Sequence, residues 1–180
     1  MRYHKLLIAG AILAVLACTP YVITTPLKVP FNSIDYCTIG LITDELPTDM
    51  DLEKKPTLEE IDKLKDEIDH QLSEQEIFQM IGRDEKADYE VNGSVLNFSR
   101  GSGVARFFIG FGVGSAKLTV ALRLVDKSDS TANKVVFAGN FSAQVSDWAT
   151  KGDQMYKTTA INFAKALKKE LKRLDKESSN

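Results

Sequence analysis

The stretch GFGVGSAKLTVALRLVD, residues 110–126, decides how this chain of 180 residues folds. Its glycines at Gly110, Gly112 and Gly114 have the spacing of a phosphate cradle, and such a cradle needs a helix behind it whose N-terminal amides face the anion. The residues behind this one have the pattern of a strand instead. Leu118, Val120, Leu122 and Leu124 alternate with Lys117, Thr119, Ala121 and Arg123, the period of two of a half-buried β-strand. Lys117 is not preceded by glycine, so the Walker pattern fails. The dinucleotide fingerprint fails with the missing helix, although Asp126 lies at a tempting distance. The run from Gly101 to Ser115 therefore reads as a Gly-rich turn or bulged strand entering a sheet, and no nucleotide is expected as ligand. Its aromatic part, Arg106, Phe107, Phe108, Ile109 and Phe111, is the candidate partner contact if those side chains are exposed.

Alternation continues on both sides of this stretch. Tyr89, Val91, Gly93 and Val95 share one strand face, and Val135, Phe137, Phe141, Ala143 and Val145 share another. The polar segment Ser128 to Asn133 between the last two strands predicts an antiparallel hairpin. Upstream, Ile34 to Ile42 is β-rich and apolar and predicts a first strand. Thr57 with Glu60 three residues on, just after Pro56, is a capping-box pattern opening a helix over 57–74. Leu58, Ile61, Leu64, Ile68 and Leu72 form its apolar stripe, and Ile77, Phe78, Met80 and Ile81 end the helical region before Gly82. Asp153 opens a last helix with Tyr156, Ala160, Phe163, Leu167, Leu171 and Leu174 on one side and lysines in its final turns, where the helix dipole favours cations. The order β-α-β-β-β-α predicts an α+β two-layer sandwich: a mostly antiparallel sheet of four to five strands with two helices on one face. Residues 31–175 form the single domain, and 176–180 are a frayed tail.

The first residues give an address. Arg2, His4 and Lys5 precede twelve apolar or small residues, Leu6 to Ala17. A helix of that length rises about 18 Å, well short of the roughly 30 Å hydrocarbon core, which suits the h-region of a signal peptide over 1–17. Val15-Leu16-Ala17-Cys18 resembles the lipobox of bacterial lipoproteins, in which the Cys carries the lipid. That resemblance implies an acylated, palmitate-type lipid attachment at Cys18 and a bilayer as partner. In a Gram-negative host, Thr19 after the Cys implies the outer membrane, with the domain in the periplasm. One acyl chain binds a membrane marginally and two or more hold it stably. Thr19 to Pro30, with Pro20, Pro26 and Pro30, reads as an extended tether, so 18–30 is expected to link lipid to domain. Lipidation also forbids a disulfide between Cys18 and Cys37.

Composition excludes more chemistry than it suggests. The net charge is −2, and −4 once Arg2 and Lys5 leave with the signal (21 basic against 25 acidic residues), so no basic excess points to nucleic acid. Two Cys and two His leave no disulfide framework and no multi-histidine metal site. His70 lies between Asp69 and Gln71 and reads as solvated surface, Cys37 as a buried inert thiol. The carboxylates of the first helix alternate with Lys63 and Lys65 like an exposed face. Trp148 is a core plug against the last helix or a rim contact, with the core favoured. No catalytic residue, metal or cofactor is expected.

Ala87, Asp88, Tyr89, Val91 and Gly93, then Arg106, then Gly110-Phe-Gly112-x-Gly114 and the strand end Leu124, Val125, Asp126 together resemble the bacterial lipoproteins of domain of unknown function 4410. The resemblance spans about residues 30–174 and departs at the turn, where Ser128 to Asn133 replaces a Thr-Gly turn. It implies the fold and the envelope address and supplies no catalytic residues. The layout is more distantly similar to small envelope lipoproteins that act as assembly or activation partners. The expected function is thus a non-enzymatic, lipid-anchored envelope domain that binds an unidentified envelope protein in assembly or secretion. The alternative is a module binding a small ligand or envelope polymer on the sheet face opposite the helices, through Arg106, Arg123 and Lys117.

Overall fold

The computed structural model describes residues 20–82, 85–101, 115–128, 133–145 and 153–179. Six strands form one sheet: β1 (Tyr21–Thr25), β2 (Tyr36–Asp44), β3 (Gln79–Met80), β4 (Tyr89–Ser99), β5 (Ala116–Asp126) and β6 (Lys134–Val145), in the order β1-β6-β5-β4-β2-β3. Two helices, α1 (Leu58–Glu74) and α2 (Gln154–Ser178), pack against each other. α1 lies on β2 and β3 and α2 on β1, β5 and β6, so both share one face. The two-layer α+β expectation stands with two changes: the sheet has six strands rather than four to five, and it is mixed. β1-β6-β5-β4 pair antiparallel, whereas β2 pairs parallel with both β4 and β3. The reason is connectivity. β2 reaches its neighbours only through α1, and a helical crossover returns the chain in the same direction.

The inner face is built by the residues whose alternation predicted it. Val91, Val95, Leu118, Val120, Leu122, Leu124, Phe137 and Phe141 are buried there against Phe163, Ala164 and Leu167 of α2 and Leu64, Ile68 and Leu72 of α1. Phe163 meets Phe141 edge-on at 5.2 Å, a favoured aromatic geometry. Val135 leaves this face, because the β5–β6 register shifts between Leu124 and Val125. Gly93 lies where a Cβ would sit 2.6 Å from the Ala121 carbonyl oxygen, so β5 approaches too closely for any side chain.

α1 begins as its capping box demands: the Glu60 amide donates to Thr57 Oγ1 at 3.2 Å, and the Thr57 amide to Glu60 Oε2 at 2.7 Å. Leu58, in the first turn, remains exposed. The helix stops at Glu74, before the apolar group at 77–81, and this corrects the longer helical region. Glu76 turns left-handed (φ 54°), and the Ile77 and Glu76 amides donate to the Leu72 and Ser73 carbonyls at 2.9 Å each, a Schellman closure. The chain then turns sharply enough for β3 to join the sheet beside β2.

The N-terminal segment is the second correction. It is extended, as its prolines suggest, but it is no free tether. Tyr21–Thr25 is the edge strand of the sheet, with Tyr21 5.9 Å from Phe141. Pro20 and Pro26 flank the strand rather than interrupt it. With a register shift before Thr25, they blunt an edge that would otherwise invite pairing. Beyond it Leu27 is buried and its carbonyl accepts from Arg173 Nη2 at 2.6 Å. Phe31 stacks on Phe78 at 4.3 Å and lies 5.7 Å from Tyr89. Residues 20–35 therefore strap the end of the domain, and among the described residues the fold includes the chain from Pro20 on rather than from 31. The other terminus is more ordered than expected: Lys176 to Ser178 continue α2, with Arg173 bridging to Glu177 at 2.8 Å.

Candidate functional site

The strands give the domain two ends. At the hairpin end lie the β5–β6 turn, the strap and the C-termini of both helices. At the Pro20 end β1 begins, β2 and β4 finish, β5 begins, β6 finishes, and both helices start, with Lys63 of α1 3.6 Å from Asp153 at the head of α2. Pro20 itself is fastened there, its carbonyl accepting from the Ser142 amide at 2.8 Å.

The polar centre of the Pro20 end is Arg100, directly after β4. Its Nε donates to Glu60 Oε1 at 2.8 Å and its Nη2 to Glu60 Oε2 at 2.5 Å, a two-pronged grip on the first turn of α1. The same guanidinium donates to the backbone carbonyls of Glu53 and Lys55 and lies 4.9 Å over the Phe98 ring. Burial works to raise the Glu60 pKa, but the bonds from Arg100 and Thr57 outweigh it and hold the carboxyl below its ordinary range. Tyr156 of α2 is pushed the other way, up, by burial and by Glu60. One cation thus ties the end of β4, the loop after β2 and the start of α1 together. Nothing in the periodicity of the sequence singles out Arg100; the capping box identifies only its partner.

The second feature is the uncovered sheet face. Among the described residues no helix lies on it, and β4, β5, β6 and β1 present small or polar side chains there: Ser94, Thr119, Ala121, Ala138, Asn140 and Thr24. A shallow depression of about 130 Å³ opens among them. Lys117 and Arg123 stand exposed on this face, as the alternation requires. Six residues of one strand separate them, about 20 Å, so they cannot grip one small molecule together.

The remaining candidates resolve differently. Cys18, Arg106, Phe107, Phe108, Ile109, Phe111 and Trp148 lie outside the described residues; Gly101 and Ser115, which flank the Gly/Phe run, are both at the Pro20 end. Cys37 is fully buried, and burial followed by Asp69 and Glu90 pushes its thiol far up, which makes it inert. His70 is exposed and sits 3.6 Å from Glu74. It borders a groove of about 380 Å³ between the helices with Lys63, Asp66, Glu67, Asp153 and Tyr156. The carboxylates of α1 pair along the helix surface, Lys63 with Glu59 at 3.2 Å and Lys65 with Asp62 at 3.0 Å. Among the described residues no three His, Cys, Asp or Glu side chains are placed to hold a metal ion, and no helix is long and apolar enough to cross a membrane.

Fold and surfaces together define a two-layer α+β domain, a mixed sheet covered on one face, whose chain enters at the corner of the sheet. The chain belongs to the family described as domain of unknown function (DUF4410), whose model matches residues 42–145. None of the curated proteins matches it in sequence. Its fold is similar to that of the PelC dodecamer from Paraburkholderia phytofirmans, at 12% identity and a TM-score of 0.58, over 82% of this chain and 95% of that one. A protein described by the family model DUF330 from Xanthomonas campestris aligns at 12% identity and a TM-score of 0.48 over 88% of this chain and 97% of its own. A minor lipoprotein from Acinetobacter baumannii aligns at 12% identity and a TM-score of 0.36 over 77% and 94%.

Proposed function

We propose that this protein is a lipid-anchored, non-enzymatic envelope domain, acylated at Cys18 and held at the outer membrane with the domain in the periplasm. There it serves as a protein-binding accessory to an assembly or secretion machine. The observation that carries this proposal is the position of β1, which starts at Tyr21, three residues after the Cys of a lipobox-like tetrapeptide that closes a short apolar stretch. A Cys in that place, only two residues short of the first strand, serves an anchor better than a core. The likeness to PelC, a dodecamer, supports a fold able to sustain extensive protein contacts.

The test is the intact mass and N-terminal peptide of the protein extracted from cells, beside Cys18→Ala. A chain starting at Cys18 with added acyl mass, absent in the variant, is the expected result. An unmodified chain cut elsewhere overturns the anchor. For the accessory role, Phe108→Ser and Phe111→Ser should release a co-purifying envelope partner without unfolding the domain. Retention in both removes the Gly/Phe run as the contact.

A second function, a binding module on the uncovered face, is favoured by the exposed Arg123 and Lys117 there. Their separation suits an extended anionic polymer over a small ligand. Saturable thermal stabilisation by an envelope polyanion, lost in Arg123→Ala, would support it.

A further inference from the structure

We propose that the domain stands end-on and close against the bilayer, its Pro20 end facing the lipid headgroups and its hairpin end pointing away. The inference rests on the anchored function proposed above and adds an orientation that anchoring alone does not contain. With Pro20 fastened to Ser142 of β6, only Thr19 separates the fixed backbone from Cys18, and the two residue steps from Cys18 to Pro20 reach about 7 Å at full extension. The segment expected to be a tether is consumed by β1 and the strap. β1 then runs directly away from the anchor. Among the described residues the headgroup-facing surface is the sheet end around Pro20, Lys117, Ser142 and Gln144.

Electrostatics alone would favour the opposite pose. Lys165, Lys168, Lys169 and Lys172 lie on the C-terminal half of α2, and Lys168 reaches the Gln75 carbonyl at the end of α1, toward the hairpin end. Lysines near an anionic surface are attracted to it, but the attraction decays within a Debye length of about 8–10 Å. The nine residue steps of β5 from Lys117 to Asp126 separate the two ends by about 30 Å. In the end-on pose the lysines are therefore too far away to be felt, and a leash of about 7 Å cannot turn the domain over.

The test uses the full, acylated chain in vesicles of phosphatidylethanolamine and phosphatidylglycerol with a headgroup-attached quencher. Because Cys37 is buried and Cys18 acylated, Gln144→Cys and Ser128→Cys each place a single reactive thiol at one end. A dye at 144 should be quenched at least threefold more than one at 128. Twenty Gly/Ser residues inserted between Thr19 and Pro20 should abolish the difference while the protein still sediments with the vesicles. Equal quenching at native length, or stronger quenching at 128, overturns the orientation and leaves the anchor intact. A chain without acyl mass that fails to sediment overturns both.

Discussion

The two ends of the domain are held together by different physics. At the hairpin end Phe31, Phe78 and Tyr89 form an aromatic cluster, with Phe78 5.4 Å from Tyr89. Asp88 stitches three elements: its carboxylate accepts from the Tyr36 amide at 2.9 Å, its amide donates to the Tyr36 carbonyl at 2.9 Å, and its carbonyl accepts from the Lys127 amide at 2.8 Å. At the Pro20 end the corresponding work falls to one surface-lying cation, Arg100, and one carboxylate, Glu60. An apolar cluster resists salt and acid, whereas a charged fork depends on both. The aromatic part of the hairpin end is therefore a closure that neither salt nor acid loosens. The Pro20 end, from which the Gly/Phe run departs, is tied by interactions that conditions can loosen.

The largest expected effect tests whether the strap belongs to the fold. Phe31→Ala removes a buried ring stacked on Phe78 and should cost about 3–4 kcal/mol, read as a lower urea midpoint at unchanged slope. If residues 20–35 were only a leash, the midpoint would not move. A shift below about 1 kcal/mol would return them to that role.

The Pro20 end should break more gently and in a pH-dependent way. Arg100→Ala removes a two-pronged carboxylate contact and two backbone bonds, an expected loss of about 2 kcal/mol at pH 7. Glu60 has a lower pKa in the folded chain than in the unfolded one, so its contribution is fully present above the unfolded value of about 4.3 and disappears as pH falls through the folded value. Midpoints measured from pH 6 to pH 3 should fall for the parent chain. In Glu60→Gln that part of the fall should be absent. Parallel curves for the two proteins would show that the fork does not couple to protons. Phe31→Ala should leave the pH profile unchanged in shape, since neither Phe31 nor its ring partners titrate there.

This contrast also separates what the sequence made legible from what it hid. α1, its cap at Thr57 and Glu60, and the inner faces of β4, β5 and β6 could be read because period and capping are local properties of consecutive residues. β1 was hidden because Pro20 and Pro26 carry a tether's composition; its nature emerges only when Tyr21 and Ile23 are seen to pair with Phe141 and Gly139 on β6, over a hundred residues away. The parallel pairing of β2 was implicit in its position before a helix, yet which strands become neighbours is a tertiary choice. Arg100 is not legible in the sequence for the same reason, since its meaning lies in groups 40 and more residues upstream. Ala87 to Tyr89, which open the most specific part of the family resemblance, residues 87–126, lie at the hairpin end, where Asp88 bonds to Tyr36 and Lys127. The candidate contacts Arg106, Phe107, Phe108 and Phe111 and the proposed lipid site Cys18 all belong to segments outside the described residues.

The smallest effect should run in the opposite direction and concerns the corner that turns α1 toward the hairpin end. Glu76 occupies the left-handed position of the Schellman closure, where a residue with a Cβ is strained and glycine is not. Its φ of 54° is maintained by the Ile77 and Glu76 amide bonds to Leu72 and Ser73, and by Ile77 and Phe78 being buried immediately afterwards. Glu76→Gly relieves that strain but gives the unfolded chain more freedom to lose, so the net gain should be about 0.5–1 kcal/mol. That is a rise of a few degrees in Tm for a domain of this size. Glu76→Ala keeps the Cβ and should give no such rise, which separates backbone strain from the loss of a negative charge near the helix C-terminus. If both variants gain equally, the destabilising element at this corner is the charge at the end of the helix dipole, and not the backbone.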